Sequence, residues 1–191
     1  VKKILKELES GKGPNATTAR RLAEKCVVEN LKTTDRMGIF YDLLVWESDL
    51  VREGVVEEAL EALRKASLLK EGTGERSGTL VLKLSDEGMD DKVLVRSDGT
   101  VVYTARDIAY QLWKFGKTKS KLKVKLHSTR PNGKKTYTTS KTGQRNLSFG
   151  NANVVVNVVG AEQRFPQRVV FTALKLLKYK REYENSHHLA Y

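Results

Sequence analysis

The stretch Val93–Leu112, VLVRSDGTVVYTARDIAYQL, changes its apolar period from that of a strand to that of a helix within one short segment. Val93-Leu94-Val95 and Val101-Val102-Tyr103 are runs rich in β-branched residues on either side of Asp98-Gly99. Glycine tolerates the positive φ that a tight turn requires, so the segment reads as a β-hairpin. Ile108, Leu112 and Phe115 then recur at helical spacing, which predicts a helix to about Phe115 with Thr104 as its N-cap. Tyr103 would end the second strand and Asp107 would lie in the first helical turn. Both would then face the crevice beyond a strand's carboxyl end, where open α/β sheets bind their ligands.

The same reasoning extends along the chain. Val1–Ser10 reads as a short amphipathic helix, broken by Gly11–Asn15, after which Thr17 or Thr18 would cap a helix to about Arg36. The string GKGPNATT lacks the spacing of a phosphate-binding P-loop, and no strand precedes it. Phe40–Val45 reads as a strand, and Val55–Ser67 as a helix with Leu60 and Leu63 inward. Leu68–Lys70 and Thr79–Leu84 read as strands around a glycine-rich turn at Gly72–Gly78. Leu122–Leu126 and Lys134–Thr139 form a second hairpin around Pro131-Asn132-Gly133, and Thr139–Ser148 reads as a mobile polar loop. Asn153–Val159 is almost uninterrupted apolar sequence, as expected for a parallel strand covered on both faces. Glu162–Tyr179 follows as an amphipathic helix with Phe165-Pro166 in its first turn. The order predicts an α/β fold, part of a Rossmann-like doubly wound parallel sheet with a β-hairpin insertion.

The 191 residues suit one domain, or one domain with an appendage. No run of about 18 apolar residues offers a membrane span. The single Cys26 excludes an internal disulfide framework and fits a reducing, cytoplasmic setting; its helical context predicts a core position. The net charge of +12 is concentrated: Ile108–Ala161 contains no Asp or Glu. Lys121, Lys123, Lys125, Lys134 and Lys135 lie in that span, on or beside the second hairpin. Clustered lysines fit a polyanion partner. The alternation from Lys119 to Leu126 equally fits the charged face of a half-buried strand, or an edge protected from aggregation. Both readings stand at this point.

Four segments carry a resemblance, and they occur in the family's order. They are Tyr41-Asp42 with Glu47-Ser48, the string Ser97-Asp98-Gly99-Thr100 through Tyr103 to Arg106-Asp107-Ile108-Ala109, Val158–Gln163, and Tyr183–Tyr191. Together they resemble the catalytic domain of arginyl-tRNA synthetase, a class I aminoacyl-tRNA synthetase, over roughly Lys32 to Tyr191. The Lys117–Ser148 insert and Ala161-Glu162-Gln163 look most like archaeal-type members. The resemblance implies ATP-dependent activation of arginine to arginyl-adenylate, with Mg²⁺ accompanying ATP, and transfer to tRNA-Arg. It implies a cytoplasmic enzyme, monomeric in its full-length form, with no membrane partner.

By the same resemblance Asp107 and Glu47 would bind the substrate guanidinium. Tyr103 would pack along its alkyl stem and donate its hydroxyl, and Gln163 would hold the α-amino group. Each has a plainer reading: a helix-terminal carboxylate for Asp107 and Glu47, a strand-end core tyrosine for Tyr103, and N-cap polarity for Gln163. The family's HIGH-type histidine pair and KMSKS lysine are missing from this sequence, so no residue is assigned a catalytic role. The expectation is an internal fragment of the enzyme, inactive in isolation. Residues 1–36 would be a helical lead-in that ends a connective insertion. Residues 37–191 would be the Rossmann-like portion, with the basic insert at about 117–150. Gln163-Arg164-Phe165-Pro166 departs from the His-rich string common in bacterial members. His187-His188 does not suit a metal, because neighbouring strand residues point to opposite faces and no third ligand lies near in sequence. Two other readings compete: a free-standing synthetase-like RNA-binding module without ligase activity, and a flavodoxin-like α/β domain. Against the second stands the lack of a glycine-rich phosphate loop.

Overall fold

Glycine followed by proline starts the longest helix, because proline's missing amide is harmless in a first turn. In the computed structural model, which describes residues 4, 7, 8, 10–120, 122–145 and 149–191, this helix is α1, Pro14–Arg36. Gly13, at φ 97°, holds the cap position expected of Thr17 or Thr18, which lie inside the helix. The expected helix Val1–Ser10 falls largely outside the described residues. The chain divides into two units, Val1–Glu53 with Lys121–Asn146, and Gly54–Ser120 with Leu147–Tyr191.

The first unit contains α1, a short helix α2 (Glu47–Arg52) and a sheet of β1 (Leu43–Leu44), β5 (Lys123–Thr129), β6 (Lys135–Thr139) and β7 (Gln144–Arg145), in the order β1-β6-β5-β7. β5 and β6 form the expected antiparallel hairpin. Its turn is closed by the Arg130 amide on the Lys134 carbonyl (2.8 Å), with Gly133 at φ 78°. The strand expected over Phe40–Val45 shrinks to two residues, paired in parallel with β6. Side chains hold its flanks instead: the Thr136 hydroxyl donates to the Tyr41 carbonyl (2.7 Å), and Arg130 pairs with Asp42 (2.8 Å). The Trp46 indole N–H donates to the Thr138 hydroxyl (2.9 Å), and the Arg20 guanidinium lies 3.7 Å from that ring's centroid. α1 buries only Ala16, so Cys26 is exposed rather than in a core. The loop expected over Thr139–Ser148 carries β7, which adds to β5.

The second unit begins with α3 (Val55–Lys65), entered through Gly54 in the left-handed region. Val55, Val56, Ala59, Leu60 and Leu63 are buried on one face. Glu57 and Glu58 sit in the first turn and Arg64 and Lys65 in the last, complementing the helix dipole. The Glu58 carboxylate also accepts the amides of Lys119 (2.6 Å) and Ser120 (2.9 Å) and the Ser120 hydroxyl. Strands β2 (Leu69–Glu71), β3 (Leu80–Leu82) and β4 (Lys92–Val95) form an antiparallel sheet around the glycine-rich turn, as expected. The Asp98-Gly99 turn also forms, with Gly99 at φ 82° and the Arg96 amide on the Thr100 carbonyl (2.9 Å).

Beyond that turn the structure departs from expectation. The second strand of the hairpin is reduced to one bridge, Val95 to Val101, because helix α4 (Tyr103–Lys114) starts at Tyr103. Val102 is the N-cap, and Thr104 is buried in the helix with its hydroxyl unpartnered. Asp107 is therefore in the second turn, not the first. Ile108, Leu112 and Phe115 are buried as their spacing predicts. α4 packs between α3 and α5 (Arg164–Leu176), which buries Val169, Val170, Ala173 and Leu174. β8 (Val155–Val158) pairs in parallel with β9 (Ser186–Leu189), after the short helix α6 (Lys180–Glu184). β8 was expected to be covered on both faces, yet among the described residues Val156 and Val158 are 52% and 58% exposed. α5 packs against β9, and Val156 and Val158 stay open to solvent.

Two outcomes test this account. A Cβ on Gly143 would stand 2.5 Å from the Val124 carbonyl, and backbone cannot retreat as a side-chain tip can. Gly143→Ala should cost about 1–3 kcal/mol in denaturant unfolding, as overpacking does. For Glu58, burial raises the carboxyl pKa, but the Ser120 hydroxyl and the two amides outweigh it, leaving the pKa below its ordinary value of 4.5. A carboxylate with a depressed folded-state pKa stabilises the fold above its unfolded pKa and loses that contribution as pH falls through the folded value. Glu58→Gln should therefore lower the melting temperature at neutral pH, and the gap to the parent should close as pH falls below 4.5.

Candidate functional site

On a helix, residues three and four apart stack on one face. In α4 this puts Tyr103, Asp107, Tyr110 and Lys114 on a single stripe. Tyr103 is the first helical residue and 50% exposed. Asp107, one turn on, is half-buried. A phenol hydroxyl and a carboxylate are thus presented together on a rigid element, as binding of an extended cation requires.

The lower half of the stripe is more buried. Lys114 donates to the Asn157 side-chain oxygen on β8 (2.8 Å), and its ammonium lies 4.4 Å from the Tyr110 ring centroid. Burial lowers the Lys114 pKa to about 8, with the Asp107 charge opposing the shift. Burial pushes the Tyr110 hydroxyl up to about 12, so that ring stays neutral across the ordinary pH range. Tyr110 also stacks on Trp113 at 5.8 Å between centroids.

Because a lysine ammonium only donates, it fixes the orientation of every amide beyond it. The Asn157 oxygen faces Lys114, so its NH₂ donates to the side-chain oxygens of Gln111 (3.2 Å) and Gln167 (2.7 Å). The Gln111 NH₂ then donates to the Ser186 hydroxyl (2.9 Å), which donates to the Glu182 carbonyl (2.7 Å). This chain joins α4, β8, α5 and β9. The sequence reading missed these residues, although Gln111 and Lys114, four and seven positions after Asp107, carried the signal.

The other expected site residues belong to other elements. Gln163 follows the carboxyl end of β8 and forms the N-terminal cap position of α5, half-buried. The His188 Nε2 contacts the Val159 carbonyl at 3.0 Å beside it. Glu47 is the first residue of α2, in the first unit, and is exposed. Of the basic residues, Lys125, Lys134 and Lys135 are exposed, Lys123 is half-buried, and Lys121 lies outside the described residues. Among the described residues no group of three or more His, Cys, Asp or Glu side chains is placed to hold a metal ion.

A family profile described as "tRNA synthetases class I (R), catalytic domain" matches residues 1–134. The arginine–tRNA ligase of Thermococcus sibiricus is 46% identical to this chain, covering 100% of it and 30% of the relative. That of Pyrococcus abyssi is 45% identical with the same coverage. The solved Thermus thermophilus arginyl-tRNA synthetase superposes with a TM-score of 0.82 at 33% identity, covering 100% of this chain and 32% of that one. The chain thus spans about 30% of the length of the curated relatives it matches. With that profile extending across most of a sequence whose four motif segments occur in the family's order, the chain belongs to the class I tRNA synthetase (R) catalytic-domain family.

Proposed function

We propose that this chain is the central part of an arginine–tRNA ligase, which activates arginine with ATP and transfers it to tRNA-Arg. The observation that carries the reading is the α4 stripe, where Tyr103 and Asp107 stand one turn apart. Asp107 takes the guanidinium, whose planar donors match a carboxylate fork. Tyr103 packs along the alkyl stem and donates its hydroxyl, and Gln163 holds the α-amino group. Glu47 keeps the role that the family resemblance gives it, a second carboxylate for the guanidinium. Arginine so held presents its carboxylate for in-line attack on the α-phosphate of ATP, and pyrophosphate leaves. The protein's part is positioning and charge stabilisation. Mg²⁺ would arrive with the nucleotide phosphates.

The basic hairpin is read as a tRNA backbone contact through Lys121, Lys123, Lys125, Lys134 and Lys135. In this reading residues 1–36 are the helical lead-in, 37–191 the catalytic-domain portion and about 117–150 its basic insert. The parallel pair β8–β9, with α5 against one side and Val156 and Val158 open on the other, is compatible with a doubly wound sheet that receives a second layer.

The test is L-arginine binding to this chain by calorimetry or NMR titration, with citrulline as the uncharged control. Charge-assisted hydrogen bonds contribute roughly 1.5–3 kcal/mol, so Asp107→Ala should weaken arginine binding about tenfold or more. The parent should prefer arginine to citrulline and the variant should not. Unchanged arginine affinity in a folded Asp107→Ala chain would sink the assignment.

A further inference from the structure

A cavity of about 280 Å³ opens beside α5 in the second unit, away from the Tyr103–Asp107 stripe. Arg164, Gln167, Arg168 and Phe171 line it from α5, Tyr183 from α6 and His188 from β9. Arg164 and Arg168 are one turn apart and both exposed, and among the described residues neither has an ion-pair or hydrogen-bond partner. The carboxylate in the wall, Glu87, is already neutralised by Lys175 at 2.6 Å. Two guanidinium groups therefore face the cavity with no carboxylate to satisfy them.

The third feature is Gln167, only 9% exposed. Its oxygen is committed to Asn157, in the orientation that Lys114 dictates. That leaves its NH₂ as an unused donor in a residue that lines the cavity. The His188 Nε2 is likewise committed as a donor to the Val159 carbonyl, since a carbonyl oxygen only accepts. The donors left for a ligand are therefore the Gln167 NH₂ and the Arg164 and Arg168 guanidinium groups, the last two with fixed positive charge. Phe171 and Tyr183 add two aromatic faces.

We propose that this cavity is a subsite for a ribose-phosphate unit, with the phosphate on Arg164, Arg168 and the Gln167 amide and the sugar against Phe171 and Tyr183. Paired guanidinium groups bind a phosphate in a fork, and a buried amide donor adds a directed bond. The volume exceeds what a bare phosphate fills, and the aromatic faces suit a sugar or base. The unit has two sources, a free phosphate ester or an RNA strand.

Ribose 5-phosphate, inorganic phosphate and an unphosphorylated RNA 12-mer serve as probes, titrated into the full chain by NMR with the Gln167 side-chain amide as reporter. Ribose 5-phosphate should shift that amide and bind more tightly than inorganic phosphate. Arg164→Gln with Arg168→Gln should weaken it about tenfold or more, by the loss of charge-assisted bonds. Arg21→Gln with Lys25→Gln, on the exposed side of α1, removes the same charge and should leave it unaltered. Among the described residues neither arginine has a partner, so the double variant should keep its melting temperature, which shows that lost binding is not lost folding. Displacement of ribose 5-phosphate by the RNA would assign the site to a strand; retention would assign it to a free ester. An unmoved Gln167 amide, equal affinity for inorganic phosphate, or equal losses in the two double variants would overturn the proposal. None of these outcomes depends on arginine binding, so the two readings fail separately.

Discussion

The second unit depends on one asymmetry: a lysine ammonium can donate and cannot accept. Placed on Asn157, it fixes that amide, and the amide fixes Gln111 and Gln167. Gln111 in turn fixes Ser186 on the neighbouring strand. A buried amide chain without a charged end could run in either direction, with each flip leaving like groups opposed. Burying the ammonium is costly, as its pKa of about 8 records. The Asn157 oxygen, the Tyr110 ring and the Asp107 charge offset that cost. The return is a single register for two helices against two strands.

Much of both units was legible in the sequence because it follows local rules. The helices over Val55–Lys65 and Tyr103–Lys114 follow from apolar spacing, and Gly99 and Gly133 fall at positive-φ turn positions. What was not legible depends on competition between elements. The hairpin strand Val101–Tyr103 looked extended, but the helix that buries Ile108 and Leu112 takes Tyr103 as its own first residue. Phe40–Val45 had strand composition, yet Tyr41 and Asp42 are held by Thr136 and Arg130, residues about ninety positions away in sequence. Cys26 had a helical context, and helical context alone does not say whether a face is covered.

The candidate site shows the same division. A resemblance named Asp107 and Tyr103, and helical periodicity alone would have put them on one face. The shift of the helix start turned a strand-end tyrosine and a first-turn aspartate into two members of one stripe. That alters the physics of Asp107. A first-turn carboxylate is stabilised by the helix dipole. One turn further in, Asp107 gains less from the dipole and more from the charged Lys114 on the same face. The plainer reading of Asp107 as a dipole-complementing residue loses its geometric basis.

The amide chain also explains why the stripe and the cavity beside α5 can be chemically opposite while belonging to one core. At its α4 end the chain terminates in a cation whose neighbour is a carboxylate. At its α5 end it terminates in Gln167, whose remaining group is a donor beside two guanidinium groups. Amides transmit direction: an oxygen held at one end leaves an NH₂ at the other. Had the α4 position been an acceptor, the same residues would have presented oxygen at the α5 end, beside arginines that would then be satisfied from within. The amide donor that Gln167 turns to that cavity is therefore a consequence of the ammonium on α4, whereas the two guanidinium groups are α5's own.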